Sequence, residues 1–183
     1  PKIEKRRTHA RTRLVCLSNP RSGRPISGFN FGVEAVAELV GNPEDVRRFD
    51  LALVVTSSQV DPDVLNAVDR PRVEHRYDAE TCRGLVLWAW TRRPDQVLFE
   101  PDATRTILAA ATELSQRYSQ SVPLLDGGGA RFKLARLASA LACRTFSSDD
   151  SRRAVVVRRA HAEVVVRTLR RLYDSPECAF DDY

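Results

Sequence analysis

The sequence predicts a small α/β segment over residues 1–57 followed by an all-helical bundle over 58–183, so that most of the chain is helical. Three observations carry this. Two short continuous apolar runs, Leu14–Leu17 and Leu51–Thr56, both fall in the first 57 residues. Beyond them the apolar residues recur at helical spacing. Asp, Asn, Pro and Gly stand where helices start and stop.

In chain order, residues 1–13 are a basic arm with Lys2, Lys5, Arg6, Arg7, Arg11 and Arg13. Leu14-Val15-Cys16-Leu17 reads as a buried strand with a polar tip at Ser18-Asn19-Pro20. Residues 21–32, rich in Gly, Ser, Arg and Pro, read as loop. Apolar residues at 33, 36, 37 and 40 predict a short helix that Gly41 stops. Asn42-Pro43-Glu44-Asp45 is a helix start, in which Asn caps, Pro suits the first position and the acids face the positive helix end. That helix ends at Arg47-Arg48-Phe49-Asp50, and Leu51–Thr56 follows as a second apolar strand.

Helices are predicted over 79–92, capped by Asp78 and stopped by Pro94, and over 102–119 after Pro101. Two more are predicted over 130–145 after Gly127-Gly128-Gly129, and over 158–173. The third has Leu134, Leu137, Ala138, Leu141 and Ala142 on one face. Residues 146–153 are polar and flexible in composition.

Composition narrows the function classes. With 43% hydrophobic and 29% charged residues the chain reads as a soluble globular protein. No apolar run approaches the roughly 20 residues of a membrane helix, and the N-terminus lacks the apolar stretch of a signal peptide, so the expected location is cytoplasmic. The net charge is +5, and only Lys2, Lys5 and Lys133 are lysines among 29 basic residues. Such an arginine excess reflects either GC-rich codon usage or recognition of phosphates and acidic partners. Cys16, Cys82, Cys143 and Cys178 are far apart, and His9, His75 and His161 lie near none of them, so neither a metal site nor a disulfide framework is expected. Cys16 and Cys143 sit in apolar runs and are expected to be buried. No methionine occurs anywhere and Pro1 opens the chain, which points to a processed or truncated product.

The chain lacks G-x-x-x-x-G-K-[ST], H-E-x-x-H, G-x-S-x-G and G-x-G-x-x-G. Gly127-Gly128-Gly129 has no strand leading into it and no Lys directly after it, so it reads as a linker rather than a phosphate loop. Four elements stand out in order: His9-Ala10-Arg11-Thr12 before the first apolar run, Asn19-Pro20-Arg21-Ser22-Gly23-Arg24, Arg47-Arg48-Phe49-Asp50-Leu51, and Ala130-Arg131-Phe132-Lys133 opening a helix.

Together these resemble the second half of the AAA+ ATPase core and the lid of the minichromosome maintenance (MCM) helicase family, as a divergent, bacterial or phage-like member. The match spans His9 to about Tyr173. The resemblance implies a partial P-loop NTPase core over 1–57 and an α-helical lid over 58–183. It makes Asn19 the sensor 1 residue, Arg48 the arginine finger and Arg131 sensor 2, with Arg136 as the substitute for Arg131, all acting on bound ATP. Asn19 would stand at a strand tip, where a neutral amide can orient a water toward a γ-phosphate without the repulsion a carboxylate would meet. Arg47 stands where the family has Ser, which leaves Arg47 and Arg48 both open as the finger, and His9 replaces the family's Asn. Lys2, Lys5, Arg6 and Arg7 fall where the family's DNA-lining hairpin returns to the core. The implied cofactors are ATP and Mg²⁺, and the implied partners are DNA and further copies of the chain in a hexameric ring.

The phosphate loop and the acids that hold Mg²⁺ are expected upstream of Pro1, so these 183 residues alone are expected to be inactive. Residues 1–57, lacking the family's intervening strand, are expected to be unstable alone, whereas the bundle from 78 onward is expected to fold by itself. Two other classes stay open: a chelatase or MoxR-type AAA+ ATPase that remodels proteins, and a non-catalytic helical binding module.

Overall fold

The computed structural model describes residues 14–20, 23–67 and 76–183. The readings placed on Lys2, Lys5, Arg6, Arg7 and His9 lie outside these residues. Among the described residues the chain is mostly helical, with seven α-helices and one two-stranded parallel sheet. None of these helices is long and apolar enough to cross a membrane.

The bundle is built from α5 (Pro101–Arg117), α6 (Ala130–Arg144) and α7 (Arg159–Tyr173), each packed on the other two. Proline at the first position of α5 loses no helical hydrogen bond, and Asp102 faces the positive helix end. α5 buries Ala103, Ile107, Ala110, Ala111 and Leu114 along one face. α6 buries Ala130, Leu134, Ala138 and Ala142, every fourth residue and mostly small, which lets its neighbours approach closely. α7 buries Ala162, Val165, Val166, Leu169 and Tyr173.

The sheet pairs β1 (Val97–Phe99) with β2 (Val155–Val157) in parallel, Leu98 opposite Val156. Each strand runs almost directly into a helix, β1 into α5 and β2 into α7. Sequence periodicity misses both strands because three residues are too few to show alternation.

The N-terminal elements join this core. α1 (Gly32–Val40) is closed by Gly41 in the left-handed region at φ 74°, and α2 (Pro43–Val46) is capped by Asn42, whose side chain accepts from the Glu44 amide at 3.0 Å. Val33, Val36 and Val46 lie in the same apolar cluster as the bundle residues. The C-terminal tail closes over them. The Val33 amide donates to the Cys178 carbonyl at 2.9 Å, and Phe180 stacks on Tyr118 with centroids 4.8 Å apart.

Several expectations are corrected. Neither apolar run is a strand. A strand is held by a hydrogen-bonded neighbour, and among the described residues neither run has one. Leu14, Val15 and Leu17 are accordingly 76%, 82% and 94% exposed, and Cys16 is exposed rather than buried. Residues 51–56 form no regular element, but Ala52 and Val54 pack on the core while Leu53 and Val55 are exposed. No AAA+ core is therefore visible among the described residues. α3 (Pro62–Asn66) and α4 (Ala79–Trp90) follow, and Asp78 caps α4 as expected, accepting from the Thr81 amide at 2.7 Å. Yet no residue of α4 is buried, because its apolar residues are spread around the helix instead of forming one stripe.

Candidate functional site

An ionic joint links α2 to the start of α6. The Arg47 Nε lies 3.0 Å from the Asp126 carboxylate, and its guanidinium also reaches Glu44 at 3.1 Å. The other Asp126 oxygen accepts from the Gly129 amide at 2.9 Å. A Cβ on Gly129 would stand 2.4 Å from that oxygen, which explains the glycine. A carboxylate therefore already occupies the start of α6, and Gly127-Gly128-Gly129 forms the turn that leads into it.

A second pair, Asp50 with Arg136 at 2.8 Å, repeats the link further along α6. Lys133 lies between them. It is 2% exposed, and its ammonium donates to the Leu124 carbonyl at 2.6 Å. Burial pushes its pKa down to about 8, against the opposing pull of Asp126 and Asp50.

The joint distinguishes the two candidate fingers. Arg47 is bound to Asp126 and Glu44. Arg48 pairs with Asp45 at 3.1 Å, and its side chain stays 79% exposed. Arg131, two residues beyond Gly129, is also exposed, its guanidinium 4.7 Å over the Phe132 ring. Arg48 and Arg131 thus lie next in sequence to the two sides of this junction, Arg48 after Arg47 and Arg131 two residues after Gly129.

Asn19 lies elsewhere. It is exposed and lines an open groove of about 370 Å³ together with Pro20, Arg24, Val55, Thr56 and Ser57. The groove's lining residues follow the first apolar run and end the second. Neither Arg48 nor Arg131 lines it. No group of three or more His, Cys, Asp or Glu side chains that could hold a metal ion occurs among the described residues.

Sequence reasoning missed Asp126 and the burial of Lys133, and it weighed Arg136 as a substitute for Arg131 and Asp50 as a partner of Arg48, whereas the structure pairs Asp50 with Arg136 and Arg48 with Asp45. Lys133 carried a readable signal: it stands three residues after Ala130 and one before Leu134, on the buried stripe of α6. The two ion pairs join residues 79 and 86 positions apart, which local pattern cannot reveal.

Comparison of the chain with protein-family models, curated proteins and solved structures returned no match.

Proposed function

We propose that this chain supplies Asn19, Arg48 and Arg131 to ATP hydrolysis at the subunit interfaces of an MCM-like AAA+ helicase or translocase working on DNA as a hexameric ring. The ordered motifs of the sequence motivate the reading. The observation that carries it is the division of labour between neighbours: Arg47 is held by Asp126 and Glu44, while Arg48 is 79% exposed beside that anchor. A finger must leave its own domain surface yet be mounted on something rigid. Neutralising charge in phosphoryl transfer is worth about 10³–10⁵ in rate in well-characterised systems.

In this reading Asn19 orients the attacking water, while Arg48 and Arg131 reach the nucleotide of the adjacent subunit. That division accords with Asn19 lying apart from the two arginines. ATP would be cradled and Mg²⁺ held by chain outside the described residues. A helical binding module is the second reading, favoured by α4, whose surface has no buried residue.

The test is ATP hydrolysis by the product of the whole reading frame. Turnover stimulated by single-stranded DNA, together with a G-x-x-x-x-G-K-[ST] upstream, supports the helicase reading. Turnover indifferent to DNA supports the chelatase class, and a frame without a phosphate loop leaves the binding module.

A further inference from the structure

The loop between α6 and β2 surrounds an aromatic pair with arginines. The Trp88 and Phe146 rings lie 4.7 Å apart. The Trp88 indole donates to the Arg152 carbonyl at 2.9 Å, and the Arg92 guanidinium donates to the Arg153 carbonyl at 2.6 Å while lying 5.4 Å over the Trp88 ring. These bonds fix the loop through its backbone and leave the Arg152 and Arg153 side chains exposed.

Arg144, Arg152 and Arg153 have no carboxylate partner among the described residues, unlike Arg47, Arg93, Arg117 or Arg159. The loop has two acids. Asp149 is turned inward, accepting from the Arg153 amide at 2.9 Å, the Ala154 amide at 2.8 Å and the Ser151 hydroxyl. These bonds, the Ser151 hydroxyl's first, lower its pKa, so its oxygens are already engaged within the loop. Asp150 is exposed. Arg144, Arg152 and Arg153 outnumber these two acids, and Phe146, packed on Trp88, is 44% exposed.

We propose that this surface, formed by Arg144, Arg152, Arg153 and Phe146 and held in place by Arg92 and Trp88, binds single-stranded nucleic acid. Guanidinium groups neutralise backbone phosphates, and an exposed ring offers a base a face to stack on. Because the loop is already fixed by Trp88 and Arg92, little ordering cost opposes binding. The inference is independent of the ATPase reading, since binding is measured without nucleotide.

The experiment is fluorescence anisotropy of a labelled oligothymidylate with the full chain over a range of salt. Arg152→Glu with Arg153→Glu is expected to weaken binding by about tenfold or more and to lower the salt slope by about 1.4, two contacts at roughly 0.7 each. The loss should persist when Lys2, Lys5, Arg6 and Arg7 are replaced by Ala. Phe146→Ala should weaken binding to the single strand more than to duplex. Arg167→Ala with Arg171→Ala, on the outer face of α7, should leave binding unchanged. The milder Arg152→Gln with Arg153→Gln pair, checked by circular dichroism, separates loss of contacts from loss of fold. The proposal is overturned if the chain binds no oligonucleotide, if the Glu pair binds like the parent, if the α7 pair loses as much, or if duplex is preferred.

Discussion

The Arg47 guanidinium and the Asp126 carboxylate meet at 3.0 Å, joining the end of α2 to the turn that opens α6. Asp126 is only 13% exposed and also holds the Gly129 amide, so losing Arg47 leaves a largely covered charge with one partner fewer. Arg47→Ala should lower stability by about 1 kcal/mol. Arg48→Ala, in the exposed pair with Asp45, should stay within about 0.5 kcal/mol of the parent. Urea midpoints measure both, and equal losses would contradict the division between anchor and projecting arginine.

Gly32 is the first residue of α1, under the C-terminal tail. A Cβ built there would stand 1.7 Å from the Glu177 carbonyl oxygen, a backbone atom that cannot swing away. Gly32→Ala should destabilise the chain by about 2 kcal/mol or more and loosen the tail. Urea unfolding gives the first effect, and faster proteolytic clipping after residue 175 gives the second. An unchanged clipping rate would show that the tail does not depend on this contact.

His161 caps α7 as a neutral ring. Its Nδ1 accepts from the Arg158 amide at 2.9 Å, which leaves the proton on Nε2 to donate to the Thr145 hydroxyl at 3.3 Å. Burial, then the Arg158 charge, hold its pKa below 6.5. The folded state therefore binds fewer protons than the unfolded one. Its contribution is present above pH 6.5 and disappears as pH falls through the lower folded value. His161→Ala should flatten this part of the pH profile and cost about 1 kcal/mol at neutral pH through the lost cap. Chemical unfolding between pH 5 and 7 checks it, and a slope that survives in the variant would assign the titration to another group.

Lys133 gives the opposite window. Its folded pKa is lowered from 10.5 to about 8, so the unfolded chain binds more protons between those values and this group makes stability rise with pH there. Cys178, whose pKa burial raises from 9.0 to about 11, and the buried Tyr118 and Tyr173 act in the reverse sense at high pH. The difference between parent and Lys133→Met isolates the lysine: the parent should gain on the variant as pH rises from about 8 to about 10.5. A constant difference would mean that Lys133 keeps its proton.

The sequence announced the helices through their punctuation. Asn42, Gly41, Asp78 and Pro101 each stand where a helix begins or ends, since caps are local chemistry. The strands failed in both directions. Leu14–Leu17 and Leu51–Thr56 have strand-like composition but no neighbour to pair with, whereas Val97–Phe99 and Val155–Val157 are too short to announce themselves and exist because they pair with each other. Of the candidate site, the exposed arginines Arg48 and Arg131 were legible as motif positions. The Arg47–Asp126 and Asp50–Arg136 pairs that mount them were not, because tertiary packing alone creates them.

ATP turnover of the Arg48→Ala variant in the product of the whole reading frame decides whether Arg48 is the finger. Turnover should fall by about 10³-fold or more while nucleotide binding and assembly remain. Normal turnover by that variant would contradict that role.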